Sequence, residues 1–193
     1  MNKIIGITGV ATSGKDTLCN LIIEFLKEKN INAKRIALAD KLKEDLYLFI
    51  KEKFNINIFD LSPEQKKIIR PILVGYGMSQ RSISKGTHWT KKIDSYLEEL
   101  KHNNILPIIT DIRYQEYPSD EYFWLKSKNG ILIHISRIEN GKEIPPANSE
   151  EERNDIRLKE LADLKLSWNT EPKMCLLYDN NISFLEKIYE KIN

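Results

Sequence analysis

The chain has 193 residues, and 30 Lys and Arg residues against 28 Asp and Glu residues give it a formal net charge of +2. This near balance gives no bulk electrostatic reason to expect a nucleic-acid partner. The length suits one well-cored domain, so we treat residues 1–193 as a single domain. No secretory segment precedes the first apolar run, which is too short to span a bilayer, so we expect a cytoplasmic protein with no membrane partner.

The cysteines and histidines show neither disulfide nor metal-site spacing. Cys19 and Cys175 lie far apart in apolar surroundings, which favours two buried, reduced thiols. His88, His102 and His134 share no metal-ligand spacing. Neither residue type predicts a metal centre.

A glycine-punctuated loop follows the first predicted strand. Residues 4–8 are apolar and rich in β-branched side chains, residues 9–15 fill the pattern G-x-x-x-x-G-K, and helical spacing of apolar residues begins at Leu18. Gly9 and Gly14 let the backbone curl so that N–H groups converge on a phosphate, and the helix N-terminus adds its dipole. This context favours a phosphate-binding P-loop over a glycine-rich turn without a chemical role.

The residues at the end of the loop depart from the usual pattern. Lys15 is expected to meet the outer phosphates of a nucleotide as a point charge. Asp16 replaces the usual Ser or Thr, and the hydroxyl is displaced to Thr17. A carboxylate there repels a triphosphate unless it faces the acceptor, a metal-bound water or a basic partner, although it gains from the helix dipole.

Strand and helix patterns then alternate. A helix is predicted from Leu18, a strand over 33–39, and a second helix through residues 42–50, which indicates a parallel sheet flanked by helices. Asp40 and Lys41 follow the second strand, at the edge where such sheets bind ligands, and Asp40 could equally cap the next helix.

A third helix and a connector come next. The sequence Ser62-Pro63-Glu64-Gln65 predicts a helix start, with interruption near Pro71 and a loose end at Gly75 and Gly77. In the connector that follows, Arg81 is either solvated or functional. Core packing is favoured over ligand contact for the indole of Trp89.

The second half of the chain adds two buried strands and a polar excursion. Residues 105–110 form a continuous apolar run that ends at Asp111, which either supports a metal through bound water or caps the next helix. A helix is predicted over 116–126 and a strand over 131–135. Residues 138–149 then turn polar, as expected of a phosphate-covering lid or of a plain surface loop.

The tail contains two strand-like runs and a final helix. The strand-like runs are residues 164–168 and 174–178, and a charged helix is predicted to precede them from Asn148. An amphipathic helix built on Phe184, Leu185, Ile188 and Ile192 is predicted to end the chain. Neither a repeat nor a long linker divides the sequence.

The P-loop alone does not name the reaction. The chain lacks the N-K-x-D sequence with which GTPases read guanine, and it is shorter than most ring ATPase modules. Guanidinium groups suit bidentate contacts with several phosphates in one site. Four arginines follow predicted strands or breaks: Arg70, Arg81, Arg113 and Arg137. This pattern favours a small-molecule kinase that works by positioning and charge neutralisation.

These motifs, in this order, resemble the phage-type deoxynucleoside monophosphate kinases. The resemblance covers most of the chain and rests on residues 9–17, residues 39–43, Gly75-Tyr76-Gly77 with Arg81 and Trp89, residues 110–113, the strand 133–135 ending at Arg137, and residues 148–150. It implies a three-layer α/β/α P-loop NTPase fold with a parallel sheet and helices on both faces. It also implies an acceptor-binding helical part at about 40–104, a lid at about 137–157, and the host cytoplasm as location if the chain is of phage origin.

The resemblance further implies a role for each matched residue. ATP, the phosphoryl donor, would bind Gly9, Ala11, Thr12, Ser13, Gly14, Lys15, Asp16, Thr17, Arg137 and Asn180. The acceptor nucleotide would bind Asp40, Lys41, Arg70, Arg81, Trp89, Asp111 and Arg113. Mg²⁺ would be held by Thr17 with Asp111 behind it. The catalytic residues would be Lys15, Asp16, Arg113 and Arg137.

Two departures and two alternatives qualify this assignment. Met78-Ser79-Gln80 stands where the family usually has a Thr-Asp pair after glycine, and the tail near 164–178 has an extra strand-like segment. A P-loop kinase for a non-nucleotide acceptor such as phosphomevalonate shares the G-K-D turn. A non-catalytic nucleotide-binding module is the second alternative. The expected partners are small-molecule nucleotides, and a homodimer is conceivable.

Overall fold

The computed structural model describes residues 3–169 and 174–193. Its strands are β1 (Ile5–Thr8), β2 (Ala33–Ile36), β3 (Leu106–Ile109), β4 (Ile131–Glu139), β5 (Lys142–Glu143) and β6 (Leu164–Asn169). Its helices are α1 (Lys15–Glu28), α2 (Leu38–Phe54), α3 (Pro63–Ile83), α4 (His88–His102), α5 (Glu121–Ser127), α6 (Ser149–Leu161) and α7 (Met174–Ile192). In this part of the chain, no helix is both long and apolar enough to cross a bilayer.

The described strands form one sheet around β1. The order is β2-β3-β1-β4-β5, and β6 also pairs with β4. All pairs are parallel except the short hairpin of β4 with β5, where Ile138 lies opposite Glu143. β1 therefore lies between β3 and β4, and its carboxyl end opens at the centre of the sheet, where parallel α/β sheets bind ligands.

Alternating side chains place one apolar core on each face of the sheet. Ile5 and Ile7 of β1 pack in one cluster with apolar residues of α1 and α7. Ile4 and Leu132 belong to a second cluster with residues of α4, α5 and α6. Because successive strand residues point to opposite faces, continuous apolar runs are buried on both sides. The fold is a three-layer α/β/α arrangement, as the sequence predicts.

Helix α3 confirms its predicted start but not its predicted end. The Ser62 hydroxyl accepts a hydrogen bond from the Gln65 amide, and the Gln65 side chain accepts one from the Ser62 amide, so the capping box is complete. The helix then continues through Pro71 and through both glycines to Ile83. A Cβ at Gly77 would lie 2.7 Å from Leu42 Cδ1, so α3 packs closely on α2 at this glycine and a larger residue would require the Leu42 side chain to move.

The tail differs from the prediction. Residues 174–178 belong to α7 rather than to a strand, because the same apolar run also fits the helical spacing that continues to Ile188. The predicted strand at 164–168 is confirmed as β6. The described chain therefore has one strand before its last helix, and the tail lacks the extra strand that was expected to distinguish it from the resembled family. Helix α5 is also shorter than predicted. Cys19 is buried, and the Cys175 side chain lies outside the described part of the structure.

Arg81 is buried in an ion pair and lines neither of the two cavities described below. Its guanidinium donates to both oxygens of Asp120 at 2.9 and 2.7 Å and to Glu116 at 3.0 Å. Its Cζ also lies 3.9 Å from the centre of the Tyr114 ring. The Asp120 side chain is fully buried, so this contact fixes the connection between α3 and the segment before α5. Arg81 is thus neither solvated nor in a connector, since α3 extends past it, and the acceptor contact implied by the family resemblance stays a prediction.

Replacing Arg81 should therefore unfold the protein more easily. Arg81→Leu leaves the buried Asp120 carboxylate without its cation, which is expected to cost about 3 kcal/mol or more in the free energy of unfolding. Urea denaturation of this variant beside Arg70→Leu, whose arginine is exposed, checks the expectation. Unchanged stability together with lost acceptor affinity would instead support the role implied by the family resemblance.

Candidate phosphate-binding site

The loop after β1 has the backbone conformation of an anion cradle. Gly9, Thr12 and Gly14 have positive φ angles of 145°, 63° and 96°. A Cβ on Gly9 would lie 2.3 Å from the Ile135 carbonyl oxygen, so only glycine fits. The hydroxyl of Ser13 is buried and has no hydrogen-bond partner among the described residues. These features suit a loop whose donors await a phosphate.

The indole of Trp168 supports this loop from β6. Its Nε1 donates to the Ser13 carbonyl oxygen at 3.1 Å, and its ring lies so close to Gly14 that a Cβ there would approach it to 2.6 Å. Trp168 is 6% exposed. Sequence analysis assigns it only to a strand, since the contact joins residues far apart in the chain.

Lys15 lies at the start of α1 and folds back over the loop. Its Nζ donates to the carbonyl oxygens of Gly9 and Val10, both at 2.7 Å. Burial, with a smaller contribution from the charge of Arg113, lowers the pKa of Lys15 to about 8. A bound phosphate would favour the protonated form by supplying the opposite charge.

A side-chain carboxylate accepts a hydrogen bond from one of the loop amides. Glu151, in the first turn of α6, accepts a hydrogen bond from the Ala11 amide at 2.9 Å with Oε1 and one from the Ala147 amide at 2.6 Å with Oε2. Arg137 approaches the same loop and donates to the Thr12 carbonyl oxygen at 3.3 Å. The loop therefore already binds an anion in this structure, and that anion comes from the predicted lid at about 137–157.

A small cavity adjoins the loop on the side of α3 and α6. Its volume is about 90 Å³, and Thr8 and Gly9 form part of its wall. Arg70 and Arg113, predicted separately as acceptor contacts, both line it. Burial raises the pKa of the neighbouring Tyr114 to about 12, so its hydroxyl stays a hydrogen-bond donor. The remaining lining residues are Val74, Ile112, Asn148, Glu150, Glu151, Asn154, Asp155 and Leu158.

Other predicted acceptor residues lie elsewhere. Trp89 is 6% exposed, and its Nε1 donates to the Gly77 carbonyl oxygen at 3.1 Å, which agrees with the core-packing interpretation. Lys41 pairs with Glu44 at 2.8 Å on α2. Asn180, predicted in a loop near the donor base, is exposed within α7, so its predicted loop position is wrong.

Asp111 is a fully buried carboxylate that holds the start of α2. Its two oxygens accept hydrogen bonds from the amides of Leu38 and Ala39 at 2.9 and 2.8 Å. Burial raises the pKa of Asp111, while these two bonds favour its charged form. It caps α2 rather than the helix that follows it in sequence, and its contribution to Mg²⁺ binding stays a prediction.

Asp16 and Asp40 are joined by an arginine that sequence analysis missed. Arg35 Nε donates to Asp16 at 2.7 Å, and Arg35 Nη1 donates to Asp40 at 3.3 Å. Asp40 lies in the first turn of α2 but is not its N-cap, which is Ala37. Asp16 therefore has the basic partner that its position requires. The signal available in the sequence was a lone arginine in a short strand.

The predicted Mg²⁺ site would use few protein ligands. Among the described residues, no group of three or more His, Cys, Asp or Glu side chains could hold a metal. Mg²⁺ in nucleotide sites needs only one or two protein ligands because phosphates and water complete its shell. The hydroxyl of Thr17, half-buried in the first turn of α1, is the predicted protein ligand at the loop.

A second cavity of about 240 Å³ lies between the β4–β5 hairpin and α6. His134 and Asp155 line it, with His134 Nε2 3.0 Å from the Asp155 carboxylate. Lys159 and Glu143 form an ion pair at 2.9 Å on the same wall. None of the residues predicted to bind donor or acceptor lines this cavity.

Comparison with known proteins gives weak similarities. No family model matches the sequence, and no curated protein matches it. Dephospho-CoA kinase from Campylobacter jejuni is similar in structure, with 18% identity, a TM-score of 0.45, and coverage of 94% of this chain and 97% of that chain. A gluconokinase from Sinorhizobium meliloti 1021 is similar with 11% identity, a TM-score of 0.44, and coverage of 99% and 95%. Similarities at this level assign neither substrate nor site.

Removing the charge of Glu151 should strengthen phosphate binding to the loop. Glu151→Gln keeps a hydrogen-bond acceptor near Ala11, but a neutral amide competes less well with a polyphosphate, so the dissociation constant should fall by roughly three- to tenfold. Calorimetric titration with tripolyphosphate measures it. Glu152→Gln makes the same charge change on an exposed neighbour and should leave the constant unchanged. Equal effects in both variants would mean that only the net charge matters.

Nucleotide binding should weaken as the pH rises above about 8. Because the pKa of Lys15 is lowered to about 8, an increasing fraction of free protein loses the charge that attracts phosphate. The dissociation constant of a non-hydrolysable ATP analogue is expected to rise by up to about tenfold per pH unit above that value. Titrations at several pH values in wild type and Lys15→Arg check this, since arginine stays charged. A parallel rise in both proteins would assign the effect to another group.

Proposed function

We propose that the protein transfers the terminal phosphoryl group of ATP to a nucleoside or deoxynucleoside monophosphate. The observation that carries the proposal is the shared wall between the two parts of the site. Gly9 belongs to the P-loop, and Glu151 accepts a hydrogen bond from it. Both residues also line the cavity that contains Arg70 and Arg113. A donor phosphate on the loop and an acceptor phosphate on the arginines would therefore be neighbours, as direct transfer requires.

Phosphoryl transfer requires the protein to position the two substrates and to supply positive charge. Phosphoryl transfer has a loose transition state with charge spread over the transferred group, so fixed cations supply most of the stabilisation. Lys15 and Arg137 lie at the loop, and Arg113 lies on the acceptor side. Mg²⁺ bound with the nucleotide would neutralise the donor phosphates, and Thr17 with Asp111 behind it would hold that ion.

The size of the acceptor cavity supports a moving lid. Its volume of about 90 Å³ lies well below the ~300 Å³ at the lower end of ordinary ligand pockets. Glu150 and Glu151, both in the first turn of α6, narrow it. We therefore propose that this turn moves aside like a hinge when the substrate enters. The helix would then return and exclude water during transfer.

A non-nucleotide acceptor is the second candidate. Trp89, the aromatic residue expected near the acceptor base, is buried in the core, and Tyr114 is the aromatic residue that lines the described cavity. Two arginines would grip any phosphate monoester equally well. A P-loop kinase for an acceptor such as phosphomevalonate therefore fits the same geometry, and a module that binds nucleotide without transfer fits the loop alone.

A coupled ADP-release assay with separate acceptors tests these functions. We expect transfer to at least one natural nucleoside or deoxynucleoside monophosphate and none to phosphomevalonate. Lys15→Ala should lose at least about a hundredfold in turnover. Transfer only to phosphomevalonate would support the second candidate, and ATP binding without any accelerated ADP release would mean a non-catalytic module.

Arg113→Ala should weaken binding of the acceptor without weakening binding of ATP. Its KM for the acceptor is expected to rise by about tenfold or more because a charge-assisted contact to phosphate is lost, while ATP affinity is retained. Lys67→Ala, an exposed charge one turn before Arg70 on α3, is the matched control and should change neither constant. Loss of ATP affinity with an unchanged acceptor KM would place Arg113 on the donor side.

A further inference from the structure

Arg35 lies between the two halves of the proposed site. It belongs to β2, and its guanidinium joins Asp16 in the first turn of α1 to Asp40 in the first turn of α2. Lys43 approaches the other oxygen of Asp40 at 3.3 Å. Two carboxylates and two cations thus form one neutral chain that leads from the P-loop helix to the predicted acceptor-binding part.

The position of Asp16 makes a counter-charge necessary. Asp16 follows Lys15 directly, so its carboxylate lies in the turn whose amides and dipole attract the donor phosphates. Like charges in such a place weaken ligand binding even when water screens them. Arg35 Nε binds Asp16 Oδ1 at 2.7 Å, which neutralises this carboxylate and directs it toward β2.

Stability alone does not account for this contact. The side chains are 38% exposed for Arg35 and 69% exposed for Asp16. Exposed ion pairs of this kind contribute little to the free energy of unfolding, because water screens the charges and the side chains lose mobility. The fold itself therefore gains little from this ion pair.

We propose that Arg35 is a positioning residue for the donor: it holds and neutralises the Asp16 carboxylate so that a triphosphate can bind beside it. The inference rests on the proposed function only in taking the P-loop to bind a nucleotide triphosphate. It adds a residue from β2 to the donor side of the site. It also explains how the chain tolerates an acid where a hydroxyl residue is usual.

A double-mutant cycle on nucleotide binding tests the proposal. Arg35→Gln keeps most of the side chain and removes its charge, so the dissociation constant of a non-hydrolysable ATP analogue should rise roughly tenfold. Asp16→Asn removes the repulsion, so Asp16→Asn with Arg35→Gln should bind within about twofold of Asp16→Asn alone. Arg35→Lys keeps the charge and should retain most of the affinity. Calorimetric titration measures all five proteins, including wild type.

The control removes a comparable ion pair elsewhere. Lys101 pairs with Glu98 on α4, with side chains 37% and 60% exposed, so Lys101→Ala should leave both affinity and melting temperature unchanged. The proposal is overturned if Arg35→Gln binds the analogue like wild type, or if the double variant binds as weakly as Arg35→Gln. A wild-type protein that binds the analogue but transfers to no acceptor would sink the proposed kinase function alone, because the cycle reads binding.

Discussion

The arrangement of the candidate site depends on one hydrogen bond, which the Ala11 amide of the P-loop donates to the Glu151 carboxylate. Within the loop the Ser13 amide donates to the Val10 carbonyl oxygen at 3.2 Å, whereas the Ala11 amide finds its acceptor on another element, and buried donors without partners are costly. In this protein Glu151 supplies the missing acceptor to Ala11, and Lys15 turns back to the loop carbonyls. In the proposed function, a polyphosphate would replace both contacts, because it offers more charge and more oxygens.

This substitution links the loop to α6. The same carboxylate that binds the Ala11 amide also binds the amide of Ala147, just before the helix. A ligand that displaced Glu151 would break the contact between the loop and the first turn of α6, which also narrows the cavity containing Arg113, while Asn148 would still cap the helix. In the proposed function, donor binding and acceptor entry would therefore be linked through the Glu151 side chain.

The sequence predicts the features whose signals are local. The loop from Gly9, the capping box at Ser62 and the buried strand before Asp111 all lie within a few residues of chain, and the structure has each of them. The partners of the polar residues do not follow from local patterns. Arg81 meets Asp120 39 residues away, and a run such as 174–178 fits helix and strand alike until its tertiary contacts decide.

The candidate site shows the same division. Arg70 and Arg113, both predicted as acceptor contacts, line the same cavity, and their contact with an acceptor stays a prediction. Glu151, 140 residues from its loop partner, gives no signal beyond an acid in the first turn of a helix. The folded geometry decides which charged residues pair over long distances in the chain, so local patterns in one sequence do not predict these pairs.

The indole of Trp168 provides the loop with a built-in optical reporter. Its ring lies against Gly14 and its N–H is bonded to the Ser13 carbonyl, so any rearrangement of the loop changes the polarity and hydrogen bonding around the chromophore. Tryptophan emission is sensitive to both. The protein therefore carries an intrinsic fluorophore at the backbone segment that would contact a nucleotide, beside two further tryptophans, Trp89 and Trp124, that also emit.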